Sequence, residues 1–216
     1  AVIGGGRYEQ FQRQLIAKAK FPQVLMANLT LFPTSAAAFY RWQNGWKKVY
    51  AYELPAAAKK KIFAAFKEVF EATCYEHPAR VYGRVIEDRG TQITFSAVGQ
   101  KAPIPIKERW RRKNDRLRSR IARLLSKKLP ELEVRTGGST SIDVTQKGID
   151  KAYGVYQIKR AIGISIRDIL FVGDAIFPGG NDYAVVRTGI GYVKVRGPED
   201  TKKVIKFLLA KRRTAP

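Results

Sequence analysis

The chain opens on a short apolar run, Ala1-Val2-Ile3, that gives way to Gly4-Gly5-Gly6, the pattern of a buried strand entering a glycine-rich turn. Apolar positions then shift to helical spacing over 7–20. Residues 23–32 read as a short apolar strand region closed by Pro33-Thr34-Ser35. Asn44-Gly45, set between alternating apolar and polar residues, predicts an aromatic-rich hairpin with a type I′ turn. A helix is predicted over 56–73, followed by a second hairpin whose strands, 80–87 and 91–98, flank Asp88-Arg89-Gly90. Leu117, Ile121, Leu124 and Leu125 predict an amphipathic helix from about Asp115 to Lys128. Strands over 131–136, 139–144, 169–172 and 192–195 and helices over 153–161 and 199–210 complete the pattern, leaving 211–216 as a solvated tail.

Strands alternate with helices at both ends, whereas the middle combines helices with antiparallel hairpins. That is the pattern of an α/β core interrupted by an α+β lobe, an arrangement that leaves a cleft where small molecules commonly bind. A terminal strand with nothing before it is a poor start for a domain, so the sequence is read as beginning partway through an α/β unit, its sheet incomplete at the N-terminus.

The 216 residues are 45% hydrophobic and 27% charged, a globular composition without a membrane-spanning run. A single cysteine, Cys74, excludes an internal disulfide. With a single histidine, His77, no zinc cluster or histidine-based triad can be assembled; both residues are read as packing or surface groups, and a reducing cytoplasm is expected. The net charge of +23 favours anionic partners: nucleic acid, anionic lipid or phosphorylated metabolites. Its densest stretch, 107–128, carries Arg109, Arg111, Arg112, Lys113, Arg116, Arg118, Arg120 and Arg123. We read it as the solvated face of a packed helix, with nucleic-acid or membrane binding as the alternative. Trp42, Trp46, Tyr50 and Tyr52 alternate along the hairpin, which suits cross-strand packing better than base stacking.

Two places could carry chemistry. Asp174 emerges just past the apolar strand Ile169-Leu170-Phe171-Val172, where open α/β sheets bind ligands. With Asp182 across a Gly-Gly turn it forms a hard oxygen environment suited to Mg²⁺, or else both are turn and cap residues. Lys151 stands at a predicted helix start, where its charge opposes the helix dipole. A nearby phosphate would compensate, and so would a simple surface pair with Asp150.

From Gly137 to Val204 the chain resembles the haloacid-dehalogenase superfamily, in its phosphomannomutase-like and sucrose-phosphatase-like branch. The resemblance rests on Gly137-Gly138, Ser141-Ile142-Asp143-Val144, the segment from Gly148 to Tyr153, Gly173-Asp174, Pro178-Gly179-Gly180-Asn181-Asp182 and Pro198-Glu199-Asp200-Thr201. Weaker similarity continues through 7–11, Pro33-Thr34-Ser35 and Glu87-Asp88-Arg89-Gly90. It implies a Rossmannoid core over 1–52 and 144–216 with an inserted α+β cap over 53–143. It further implies Mg²⁺ held by Asp174, Asn181 and Asp182, with Lys151 beside the phosphoryl group. Arg89, Gln100, Ser141, Asp143, Gly5 and Gly6 would contact the substrate. The activity implied is Mg²⁺-dependent hydrolysis of a sugar phosphate or similar monoester through an aspartyl-phosphate. The alternatives are a phosphomannomutase, an inactive pseudoenzyme or a basic nucleic-acid-binding protein.

The departures from the family pattern are equally specific. The sequence contains no Asp-x-Asp nucleophile motif, which makes an N-terminally truncated and inactive chain the expectation. Glycine fills the positions where a phosphate-binding hydroxyl is expected. Gln100 stands in place of a second cap arginine, favouring hydrolase over mutase, and Ala36 replaces a glycine.

Overall fold

The computed structural model describes residues 1–19 and 21–213, so the helix expectation at Lys20 lies outside the described residues; of the tail expected over 211–216, residues 211–213 instead continue the C-terminal helix and 214–216 lie outside the described residues. The chain divides into two compact units, Ala1–Gly154 and Val155–Pro216.

The first unit begins with β1 (Val2–Ile3) and then α1 (Tyr8–Phe11), a π-helical stretch (Gln12–Ile16) and α2 (Ala17–Ala19). After α3 (Gln23–Met26) come β2 (Thr30–Phe32), the turn-like α4 (Pro33–Ala36), β3 (Ala38–Trp42) and β4 (Trp46–Ala51). The sheet runs β1-β2-β3-β4, parallel between β1 and β2 and antiparallel thereafter. Buried Leu31, Phe32 and Phe39 centre its packing, with Phe32 and Phe39 stacked at 4.5 Å. The strand expected over 23–32 is confined to its last three residues, because Pro22 starts a short helix at Gln23. At the hairpin, Trp42 pairs with Trp46, so the loop has three residues rather than the two of a type I′ turn. Asn44 and Gly45 still take positive φ, 52° and 137°.

The same unit continues with α5 (Ala56–Thr73), β5 (Ile86–Asp88), β6 (Gln92–Ser96), α6 (Ile104–Lys128), β7 (Leu132–Gly137) and β8 (Ser141–Gln146). Its strands form a fully antiparallel sheet, β5-β6-β8-β7. Strand periodicity sorts the residues. Ile93 and Phe95 of β6 and Ile142 and Val144 of β8 join Ile62, Phe66 and Val69 of α5 and Ile121 and Leu125 of α6 in one core. The alternate positions, Gln92, Thr94 and Ser96 on β6 and Ser141 and Asp143 on β8, line the opposite, polar face, where Thr94 stands across from Asp143 and Ser96 from Ser141.

Two expectations need correction in this part of the unit. The first strand of the second hairpin shortens to Ile86–Asp88, because Gly83 at φ 85° interrupts the extended chain before it. The basic helix starts at Ile104 rather than near Asp115. Pro103 and Pro105 occupy its N-cap and first turn, where a proline's missing N–H costs nothing and its φ is already helical.

α7 (Lys151–Ile162) starts at the end of the first unit. The second unit holds a 3₁₀ turn (Ile166–Asp168), β9 (Leu170–Gly173), a longer 3₁₀ segment (Tyr183–Thr188), β10 (Gly191–Lys194) and α8 (Pro198–Arg213). β9 and β10 pair in parallel, and Val155, Val185 and Ile190 form a small core with Ile166, Ile169 and Phe171 against it.

Candidate functional site

In the first unit the polar face of the second sheet meets the glycine turn. The carbonyl of Gly5 accepts a hydrogen bond from Arg89 Nη1 at 2.7 Å and another from Gln92 Nε2 at 3.4 Å. Arg89, 4% exposed, also donates from Nε to Glu87 Oε2 at 2.9 Å. Gln92 Nε2 donates to Thr94 Oγ1 at 2.6 Å, and Thr94 Oγ1 donates in turn to Asp143 Oδ1 at 2.8 Å. The other carboxylate oxygen lies where a Cβ on Gly5 would be 3.6 Å away and one on Gly137 2.5 Å away. Only a glycine at 137 therefore lets Asp143 hold this position. Burial pushes the Asp143 carboxyl above its ordinary range, opposed by the Arg89 guanidinium and by hydrogen bonds from Thr94 and Gln92.

The turn itself is set by the chain that follows β2. Thr34 N donates to Gly6 O and Ser35 N to Gly4 O, both at 2.9 Å, leaving the amides of Gly5 and Gly6 outside this pattern. Thr34, Ser35 and Ala36 all adopt left-handed φ, from 49° to 74°. At Ala36 this is the conformation of the glycine that the family pattern has there. Thr91 Oγ1 donates to Thr34 Oγ1 at 2.7 Å, tying this turn to the second hairpin.

Of the other expected contact residues, Ser141 lies two places before Asp143 on the same face and bonds Ser96 Oγ at 3.4 Å. Gln100 lines a cavity of about 390 Å³ together with Arg7, Arg84, Glu87 and Lys101. Its side-chain Nε2 is buried without a partner, and its carbonyl accepts from Lys107 Nζ at 3.0 Å. Burial, and secondarily the charge of Arg89, hold the Lys107 ammonium below its ordinary pKa. Cations thus outnumber acids here, with Glu87 the acidic residue in the cavity wall, and the basin suits an anion. Sequence reasoning missed Arg7 and Lys107. Arg7 could have been found from its place directly after the glycine turn; Lys107 was hidden by the late helix start.

Lys151 is the first residue of α7 and 8% exposed. Asp150 caps the helix, its Oδ1 accepting from Tyr153 N at 2.9 Å while its Oδ2 pairs with Arg135 at 3.2 Å.

In the second unit, Asp174, Asn181 and Asp182 share the loop after β9. Asp182, 2% exposed, accepts from Ala175 N through Oδ2 at 3.0 Å and closes the loop, whereas Asp174 is exposed. The loop thus offers two carboxylates and an amide. No group of three or more His, Cys, Asp or Glu suited to a metal occurs among the described residues. Mg²⁺ fits such a partial donor set, because it retains water and takes substrate phosphate oxygens alongside one or two carboxylates.

The family model described as eukaryotic phosphomannomutase matches residues 1–211. The chain belongs to that family. Among curated relatives, the phosphomannomutase of Saccharomyces cerevisiae is 32% identical over 130 residues, covering 57% of this chain and 49% of the yeast protein. That of Spinacia oleracea is 31% identical over 127 residues, covering 56% and 49%. The chain spans about half the length of the curated relatives it matches. Among solved structures, the N-terminally truncated, IMP-bound IMP-nucleotidase of Plasmodium falciparum superposes with a TM-score of 0.65 at 13% identity, covering 96% of this chain and 58% of that one. A protein described within a phosphoryl-transfer superfamily gives 0.54 at 15% identity, covering 92% and 74%. The fold is the mixed α/β fold of the haloacid-dehalogenase superfamily, as the sequence resemblance implied.

Proposed function

We propose that this member of the phosphomannomutase family binds a sugar phosphate and serves a Mg²⁺-dependent phosphoryl transfer in a reducing cytoplasm, with water as the acceptor. The reading is carried by one observation: Gly5, Arg89 and Asp143 meet on the polar face of the second sheet, and Arg7, Arg84, Gln100 and Lys101 line a basic cavity in the same unit, with Lys107 bonded to the Gln100 backbone carbonyl. Arg89, supported by the charge of Lys107, neutralises the phosphate, and the Gly5 and Gly6 amides face the same anion. Ser141 and Asp143 take sugar hydroxyls as hydrogen-bond partners. Lys151 offsets the charge of the transferring phosphoryl group. Asp174, Asn181 and Asp182 hold Mg²⁺, which when bound supplies charge neutralisation at a phosphoryl oxygen. The nucleophilic carboxylate is not among the residues of this sequence, so the part assigned to these residues is substrate and metal binding.

Hydrolysis is preferred to mutation because Gln100 is neutral, which weakens the grip on a second phosphate that a bisphosphate intermediate needs. The mutase reading draws its support from the family itself. Phosphorus NMR separates the two when the protein as isolated from its source cells is given Mg²⁺, mannose 1-phosphate and a trace of hexose bisphosphate. Inorganic phosphate is the expected product. Formation of the 6-phosphate would establish the mutase, and the absence of both turnover and saturable sugar-phosphate binding would overturn the proposal.

A further inference from the structure

The basic face of α6 has no role in the reading above. Placed on a helix of 3.6 residues per turn, Arg109, Arg112, Arg116, Arg120 and Arg123 fall within about 100° of arc, and Lys113 and Lys127 lie inside the same sector. All are exposed. Among the described residues none of them forms an ion pair, whereas Arg118 pairs with Asp115 and Lys128 with Glu68. From Arg109 to Lys127 the stripe runs about 27 Å at 1.5 Å per residue. That is far longer than one sugar phosphate, so the complementary ligand is a linear polyanion.

The apolar side of α6 decides between the two biological polyanionic surfaces. Ile121 and Leu125 are fully buried in the core with Phe95 and Phe66, and Trp110 and Leu117 pack against it. No apolar face remains for insertion into a bilayer, and an interfacial helix binds chiefly through that face. Arginine predominates along the stripe, and its planar fork suits bidentate contact with phosphate oxygens.

We propose that the exposed arginine stripe of α6 is a docking surface for the phosphodiester backbone of a nucleic acid, read by charge and spacing and not by base sequence. About 27 Å corresponds to roughly eight steps of a duplex at 3.4 Å per step.

The test is fluorescence anisotropy with a labelled 20-base-pair RNA duplex, and a DNA duplex of the same sequence, titrated with the 216-residue chain over a series of KCl concentrations. The logarithm of affinity should fall with the logarithm of salt with a slope of about −6, near −0.9 per neutralised phosphate. The triple variant R112Q/R116Q/R120Q should bind at least ten-fold more weakly and lose about 2 to 3 from that slope. A control, K18Q/K47Q/K206Q, removes equal charge from exposed positions on other elements and should stay within about three-fold of the unmodified chain. Circular dichroism should be the same for all three proteins. Equal weakening by both triples would reduce the effect to net charge and overturn the proposal. So would the absence of binding at 100 mM KCl, or stripe-dependent binding to phosphatidylserine vesicles but to neither duplex.

Discussion

Arg89 Nη1 donates to the carbonyl oxygen of Gly5 at 2.7 Å, joining the second hairpin to the glycine turn that follows the first strand. The same guanidinium donates to Glu87, so one buried cation satisfies two acceptors on separate parts of the chain. Arg89→Met removes both bonds and should lower stability by about 2 kcal/mol, the usual scale for hydrogen bonds to a charged group. Arg89→Lys keeps the charge without the fork that spans both acceptors and should fall between. Urea unfolding followed by tryptophan fluorescence measures this well, because Trp42, Trp46 and Trp110 all lie in the first unit. Sugar-phosphate affinity should fall at least ten-fold in Arg89→Met.

Asp143 makes its own mark on the pH dependence of stability. Its carboxyl titrates above the ordinary range in the fold. Between the unfolded and folded values the native state therefore binds the extra proton, and stability falls as pH rises through that window. Asp143→Asn abolishes this contribution. Urea midpoints from pH 4 to 8 should decline less with rising pH in the variant than in the unmodified chain; parallel curves would show that burial does not shift this group.

A Cβ on Gly154 would lie 2.9 Å from the Cβ of Ala36 and 2.9 Å from Ile3 Cδ1. Gly154→Ala should destabilise the first unit by about 1 to 3 kcal/mol through overpacking, despite alanine's better helix propensity. Ala36→Gly should be near neutral, since relief of its left-handed φ offsets loss of a fully buried methyl. Combining them should recover about 1 kcal/mol relative to the sum. A double-mutant cycle reads that coupling, and strict additivity would mean that Ile3 alone receives the new methyl.

The loop acids Asp174 and Asp182 should separate cleanly. Asp182→Ala removes the partner of the part-buried Ala175 N–H and should cost about 1 to 2 kcal/mol with or without metal. Asp174→Ala, at an exposed position, should change stability by less than about 0.5 kcal/mol. If the loop holds Mg²⁺ as proposed, millimolar MgCl₂ should raise the melting temperature of the unmodified chain and leave that of Asp174→Ala unchanged. Calorimetry of both variants with and without MgCl₂ supplies the comparison.

Much of the architecture is written locally. Ala56–Thr73 is a helix with the expected bounds, and the alternation of β6 and β8 sorts Ile93 and Phe95 from Thr94 and Ser96 without tertiary information. Ala36 was legible too, as a residue in a glycine's place that takes a glycine's φ. The left-handed Thr34 and Ser35 were not, because L-residues disfavour that region and it takes tertiary bonds, to Gly6, Gly4 and Thr91, to hold them there. The start of α6 was hidden because prolines read as breakers unless a helix is known to begin at them. At the site, Arg89 and Asp143 came through motif resemblance. Lys107 acquires its meaning only when α6 brings its ammonium to the Gln100 carbonyl.

The unequal cores of the two units imply different dynamics. α5, α6 and the strands between them bury a broad aromatic and aliphatic cluster. The described core of the second unit rests on Val155, Val185 and Ile190. Amide hydrogens of β6 and β8 should therefore exchange with solvent only on global opening, while those of β9 and β10 exchange through cheaper local excursions. The loop bearing Asp174 hangs from that softer pair of strands, so the exposed Asp174 carboxylate should sample several arrangements while Asp182 stays tied to the Ala175 N–H.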